Sequence, residues 1–257
     1  RLASAIWLCL ATAALANPVQ QTKGNFEDKF RQLEGEDWPT PTDYRNASGA
    51  PGYRYWQQKV DYDLRVRLDE PKRLVTGSAV VKYRNNSPDT LSYLWLMLDQ
   101  DQYRRDSIAE LTRTVSGDKI SLGEIRRAKR MQEWEGGMTI VAVRDAGGRA
   151  LPFTRTDTMI RVELAQAVAA NGGETSFTIE WSFPMVDYKV VGGRSGYECF
   201  TAAGEDGNCI FQGAQWFPRL AVYSDYEGWH NKTFLDDGEF TLEFGDYRVA
   251  LTVPADH

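Results

Sequence analysis

From Tyr53 onward, apolar and polar residues alternate with a period of two. Val60, Tyr62, Leu64, Val66 and Leu68 are interleaved with Asp61, Asp63, Arg65, Arg67 and Asp69. Successive side chains of a strand point to opposite faces, so this pattern predicts a strand with one dry and one wet face. Asp69-Glu70-Pro71-Lys72 predicts the turn that follows, and residues 74–83 the return strand. Asn85-Asn86-Ser87-Pro88-Asp89 makes the next turn. Residues 91–98 are apolar at both parities, as expected of a central strand covered on both faces. Strands are predicted again over 138–143, 151–155 and 159–164, with Asp145-Ala146-Gly147-Gly148 as a hairpin signal. After the turn Asn171-Gly172-Gly173, the apolar residues Phe177, Ile179, Trp181 and Phe183 alternate with polar ones. Residues 240–244, a Gly245-Asp246 turn and residues 247–253 predict a last hairpin.

Two stretches break this rhythm. Residues 99–135 are polar, charged and weakly patterned, which predicts a long surface excursion with a helical turn at 107–111. Residues 17–52 are rich in Pro and Gly and predict a leader with little regular structure. Within it, Phe26, Phe30 and Leu33 fall at helical spacing behind Asn25, a capping residue, so one short helix is predicted. Short strands, frequent turns and no long helical period give an all-β class: a large twisted sandwich or saddle over residues 53–257.

The two ends carry their own signals. Arg1 precedes an apolar run from Leu2 to Ala16 broken only by Ser4 and Thr12. Ala14-Leu15-Ala16 has the small-x-small pattern of a signal-peptidase site. Residues 1–16 are therefore expected to be a secretory signal peptide clipped at its start, and the protein to be exported, periplasmic or secreted. An N-terminal core helix is the rival reading. The run is too short for a bilayer span, so no transmembrane segment is expected. The last strand runs into Pro254-Ala255-Asp256-His257 with no closing element. Both ends are expected to be cuts through a longer, multidomain protein.

Composition narrows the chemistry. The 257 residues carry 30 Lys+Arg against 36 Asp+Glu, a formal charge of −6, and loss of residues 1–16 removes Arg1 and makes it −7. A mildly acidic chain without a basic face argues against a nucleic-acid partner. The only histidines are His230 and His257, and a zinc hydrolase needs two or three such ligands close together, so this segment holds no such site alone. Gly193-Arg194-Ser195-Gly196 lacks both the spacing of a nucleophile elbow and the Lys of a phosphate loop. Glu205-Asp206-Gly207-Asn208 departs from the calcium-loop pattern and reads as a solvated turn. In an oxidising compartment Cys199 and Cys209, which bracket a polar loop, are expected to form a disulfide, with two reduced buried thiols as the alternative.

The densest stretch runs from Ile210 to Trp229. Trp216, Phe217 and Tyr223 mix there with polar Gln215 and Arg219, and Pro218 interrupts any strand. Such a mixture suits a cleft wall, and equally a core corner whose polar groups satisfy loop carbonyls.

Gln215-Trp216-Phe217-Pro218-Arg219, Tyr223, Gly228-Trp229, Gly238-Glu239-Phe240, Glu243-Phe244-Gly245-Asp246-Tyr247 and Val253-Pro254-Ala255 together resemble the N-terminal domain of bacterial M1-family (gluzincin) zinc metallopeptidases. The upstream run Leu74, Gly77, Tyr83, Asn85-Asn86-Ser87-Pro88 and Leu94-Trp95-Leu96 fits the same domain, so the likeness covers residues 53–257. The resemblance implies a β-saddle packed on a downstream catalytic domain that would carry His-Glu-x-x-His, a later Glu and one zinc, none of it in this segment. It implies metal-assisted hydrolysis of peptides, with zinc polarising the carbonyl and activating water. It also implies that a Gln or Glu of the N-terminal domain binds the free amine of the substrate, in a loop reading Gln-x-Glu/Gln-Ala-x-x-x-Arg. Anchored on Arg219, the leading Gln falls on Gln212 and the amine-binding position on Ala214, one residue before Gln215. A one-residue bulge would bring Gln215 into place. Gln215 is thus the first candidate for substrate binding and Gln212 the second.

Two rivals remain. A secreted β-sandwich binding module for carbohydrate or protein would explain the many Trp and Tyr, and predicts exposed, coplanar aromatics on one face. A catalytically inactive M1-like scaffold is the other.

Overall fold

The structure is a computed structural model that describes residues 41–113, 119–191, 194–200, 208–235 and 241–255. The expected signal peptide over 1–16 and the short helix around Phe26–Leu33 lie outside the described residues.

The first sheet grows from the alternating strands. β1 (Lys59–Asp69) runs antiparallel to β2 (Leu74–Asn85), with Tyr62 opposite Val81 and Leu64 opposite Ala79. Val60, Tyr62, Leu64 and Val66 are buried while the Asp and Arg residues between them face outward, as the pattern predicts. β3 (Leu91–Met97) is buried nearly throughout. β4 (Thr139–Asp145), β5 (Phe153–Thr156), β6 (Met159–Val168) and β7 (Gly173–Pro184) follow. Then come β8 (Gly196–Phe200), β9 (Asn208–Gln212), β10 (Arg219–Leu220), β11 (Tyr223–Ser224), β12 (Gly228–Trp229) and β13 (Tyr247–Thr252).

The strands form a five-stranded sheet in the order β13-β1-β2-β7-β4 and a four-stranded sheet in the order β10-β3-β6-β5. One apolar core takes Leu64, Val81, Phe177, Ile179 and Trp181 from the first sheet and Leu94, Leu96, Ile160 and Val162 from the second. The architecture is therefore an all-β, open sandwich with no closed barrel. Burying this apolar surface is the main favourable term in its folding. Gly77 is required at its place in β2: a Cβ there would lie 2.3 Å from the indole of Trp181, its cross-strand partner.

Three expectations need correction. The Asp145–Gly148 turn forms, closed by the Asp145 carboxylate on the amides of Gly147 and Arg149, both at 2.9 Å. It does not join a simple hairpin: β4 pairs with β7 in the first sheet, and the chain crosses so that β5 pairs with β6 in the second. The last hairpin is absent over the described residues. From Phe244 the chain runs parallel to β1, with the Val60 amide donating to the Phe244 carbonyl and Tyr62 to Asp246. Gly245 allows that approach, since a Cβ there would overlap the Val60 carbonyl. Finally, residues 99–135 are not all surface. The 3-10 turn Asp99–Tyr103 is wholly buried, α1 (Ile108–Leu111) is the helical turn expected, and α2 (Leu122–Glu133) is a helix of 12 residues that weak patterning hid. A last helical turn, α3 (Tyr188–Val191), precedes β8. No helix among the described residues is long and apolar enough to cross a membrane.

Candidate functional site

The loop between β9 and β10, residues 213–218, carries the candidate residues. Its far end is fixed by charge. Arg219 pairs with Asp99 of the buried 3-10 turn, and both side chains are almost wholly enclosed. Burial raises the Asp99 carboxyl above its ordinary value, with Arg219 pulling the other way. A buried pair of this kind resists loss of either partner, because the survivor would be an uncompensated charge. One residue on, the Leu220 amide donates to the Tyr62 hydroxyl at 2.9 Å.

The middle of the loop is fixed by its backbone. The Trp181 indole N–H donates to the Trp216 carbonyl at 3.1 Å. The Ala214 carbonyl accepts from Gln100 Nε2 and from Ser195 Oγ, both at 2.8 Å, and the Ala214 amide donates back to Ser195 Oγ at 2.9 Å. Gln100 and Ser195 are themselves buried. The side chains of Gln100, Ser195, Trp181 and Asp99 thus hold residues 214, 216 and 219.

Between residues 214 and 216 lies Gln215. Its φ is +53°, in the left-handed region that residues other than Gly rarely occupy. Such strained positions persist where the surroundings over-determine them, and they gather at functional sites. The Gln215 carbonyl lies 3.5 Å from Gln100 Nε2, while no hydrogen bond within the described residues engages its side-chain amide. Gln212 stands apart from this arrangement. It ends β9 opposite Gly196 and is exposed.

Trp216 and Phe217 pack with ring centroids 4.8 Å apart, and Phe217 meets Tyr62 edge-on at 5.4 Å. Both rings are half-buried against the core, so the loop forms one of its corners.

Cys199 and Cys209 form the expected disulfide, directly opposite each other in the β8–β9 hairpin. The Arg73 guanidinium lies 3.4 Å from each sulfur and over the rings of Tyr197 and Phe211, at 4.8 and 5.3 Å.

Two further groups invite a chemical reading. Ser224 Oγ is 2.9 Å from His230 Nε2, but Glu227 approaches the same nitrogen at 3.8 Å, so among the described residues no carboxylate orients the other side of the ring as a nucleophilic triad requires. Burial lowers the His230 pKa. Glu243 is buried, accepts the Tyr223 amide at 3.1 Å, and is pushed up to about 7 by its surroundings.

Gln100 and Ser195 were not singled out from the sequence as site residues. Gln100 sits in a stretch read as surface because it is polar, and Ser195 drew notice only as a poor nucleophile. The run Asp99-Gln100-Asp101-Gln102 directly after the apolar strand was the available signal. It is buried because Arg219 and Arg155 meet its two carboxylates.

Among the described residues no group of three or more His, Cys, Asp or Glu could hold a metal ion. No protein-family model matches the sequence, and no curated protein matches it. Solved structures do. A two-domain M1 zinc metallopeptidase bound to L-tryptophan aligns at 13% identity over 80% of this chain and 35% of its own, with a TM-score of 0.37. The M1 zinc metallopeptidase from Deinococcus radiodurans aligns at 12% identity over 80% of this chain and 34% of its own, with a TM-score of 0.36. The chain thus spans about a third of the length of the structures it matches. Likeness at that level leaves the assignment resting on the residues themselves.

Proposed function

We propose that the chain is the substrate-cleft N-terminal domain of an exported zinc metallopeptidase of aminopeptidase type, and that Gln215 binds the free α-amine of the peptide. The observation that carries this reading is the loop geometry. Gln215 stands at a left-handed residue with its backbone held on both sides and its side-chain amide unengaged by the described residues. A neutral amide oxygen there accepts an ammonium hydrogen bond, more weakly than a carboxylate would. The sequence cluster from Gln215 to Pro254 supplies the family resemblance. Zinc, its ligands and the water-activating base would belong to the downstream domain of the parent protein. The described residues do not fit a zinc site, and this segment binds and orients rather than cleaves. The binding-module reading has less support. All six described tryptophans are buried or partly buried, so they do not build an exposed stacking face.

The full-length parent protein, purified with zinc, is the material for the test. It should hydrolyse peptides with a free N-terminus and spare the same peptides after N-acetylation. No hydrolysis, or equal hydrolysis of both, would overturn the reading.

A further inference from the structure

Among the described residues, the hairpin β8–β9 pairs with no other strand except through a single bridge between Asp187 and Tyr197. A two-stranded hairpin is marginal in water by itself. This one is closed by Cys199–Cys209 at the rungs next to its tip, and its base bears the residues that hold the candidate loop. Ser195 immediately precedes β8, and Gly213 immediately follows β9. The hydrogen bonds between Ser195 and Ala214 span that base. Loosening the hairpin would therefore remove one of the restraints on the residue before Gln215, the Ser195–Ala214 pair, while those from Gln100 and Trp181 remain.

The surroundings of the disulfide favour its reduction. Arg73 points one guanidinium nitrogen at both sulfurs. A disulfide sulfur is a weak acceptor, whereas a thiolate is a strong one and carries charge. A fixed cation therefore stabilises the reduced pair more than the oxidised one. Arg73 is itself fixed by stacking on Tyr197 and Phe211, one on each strand of the same hairpin. Its backbone is anchored too, since the Arg73 carbonyl accepts the Met185 amide at 2.7 Å. Both cysteines are partly exposed, so a small dithiol can reach them.

We infer that Cys199–Cys209 is a reducible clasp, set by Arg73, that controls whether the Gln215 loop is ordered. The partner is a dithiol reductant. Its thiolate attacks one sulfur, the S–S bond breaks, and the departing sulfur leaves as a thiolate. The second thiol of the reductant resolves the mixed disulfide. Two electrons pass to the protein, the reductant becomes a disulfide, and its two protons go to Cys199 and Cys209 or to solvent. With the clasp open, Ser195 no longer holds Ala214. The consequence for substrate rests on the amine-binding reading above; the opening of the loop does not.

The test uses the chain in buffers of set reduced-to-oxidised dithiothreitol ratio. Thiols are alkylated and mapped by peptide mass, so that Cys9 is counted separately. Amide hydrogen exchange is followed in peptides covering 208–219. Reduction should speed exchange there at least tenfold and leave β1, β2 and β7 unchanged. Arg73→Met should shift the equilibrium toward the disulfide by about tenfold, equal to about 30 mV for this two-electron couple. Arg73→Lys, which keeps the charge, should restore much of it. A Cys199→Ala/Cys209→Ala chain should exchange like the reduced wild type, and covers the case in which Arg73→Met folds poorly. Exchange that does not respond to reduction, or an equilibrium that ignores Arg73→Met, would overturn the proposal. The amine preference of Gln215→Ala in the parent protein is read separately, so failure of the clasp and failure of the substrate reading are distinguishable.

Discussion

Between β1, β2 and β7 nearly every inward side chain is apolar, and each strand is held along its length by its neighbours. Between β9 and β10 the chain makes no ladder, and five polar side chains hold it instead: Gln100, Ser195, Trp181, Asp99 and Arg219. The first arrangement tolerates local change, because burial is non-directional and spread over many contacts. The second is directional, and each bond has one donor and one acceptor. A sandwich held in the first way gives stability. A loop held in the second way gives one residue a defined and unfavourable backbone conformation, and leaves its side chain for something else.

The largest effect is expected at the residue shared by both regions. Trp181 fills the core beside Gly77 and also holds the Trp216 carbonyl. Trp181→Ala should cost about 3–5 kcal/mol in a denaturant titration, from lost burial and the cavity left behind. Trp181→Phe should recover much of that stability while loop exchange stays fast, which separates the two roles. Next comes the buried pair. Arg219→Leu should destabilise by about 3 kcal/mol, since Asp99 is left charged and enclosed. Adding Asp99→Leu should give back part of the loss, the opposite of what two independent contacts would do.

Glu243 supplies a pH test of the buried segment around Tyr223. Its folded pKa of about 7 exceeds the ordinary 4.5, so the folded state holds the proton more tightly between those values. Stability should therefore fall as pH rises from about 4.5 to 7, and level off above that. Glu243→Gln keeps an oxygen for the Tyr223 amide and should remove this decline, a difference of at most about 3 kcal/mol at pH 8. Thermal melts across pH would show it, and an unchanged slope would place the titrating group elsewhere. A smaller effect is expected at Gln100→Leu, about 1 kcal/mol for the lost bonds to Ala214, confined in hydrogen exchange to the loop.

Much of the sandwich was legible because burial writes itself as period two. β1, β2 and β7 alternate, and β3 is apolar at both parities. The crossovers were not legible. Asp145–Gly148 and Asn171–Gly173 announce that the chain turns, while which sheet receives the next strand depends on partners far away in sequence. The parallel seating of β13 on β1 was hidden for the same reason. α2 is hidden because its few apolar residues, Leu122, Ile125, Ala128 and Met131, are scattered among charged ones, and Leu122 and Ile125 are exposed. The aromatic and polar run from Ile210 to Trp229 marks a loop in the sequence, and the structure seats most of its aromatic residues against the core. Gln100 and Ser195 were not legible, since a buried polar group looks like a surface one until its partner is known.

Gln215→Ala is the sharpest measurement, because its effect on stability should be small and its effect on substrate binding large. Stability should change by less than about 0.5 kcal/mol, as for a side chain with no partner to lose. In the full-length enzyme KM for peptides with a free amine should rise with kcat largely kept, by the equivalent of about 1–3 kcal/mol for a lost charge-assisted bond. The preference over N-acetylated peptides should fall by the same factor. A variant that unfolds, or one that keeps the preference intact, would contradict the assignment of Gln215 as the amine-binding residue.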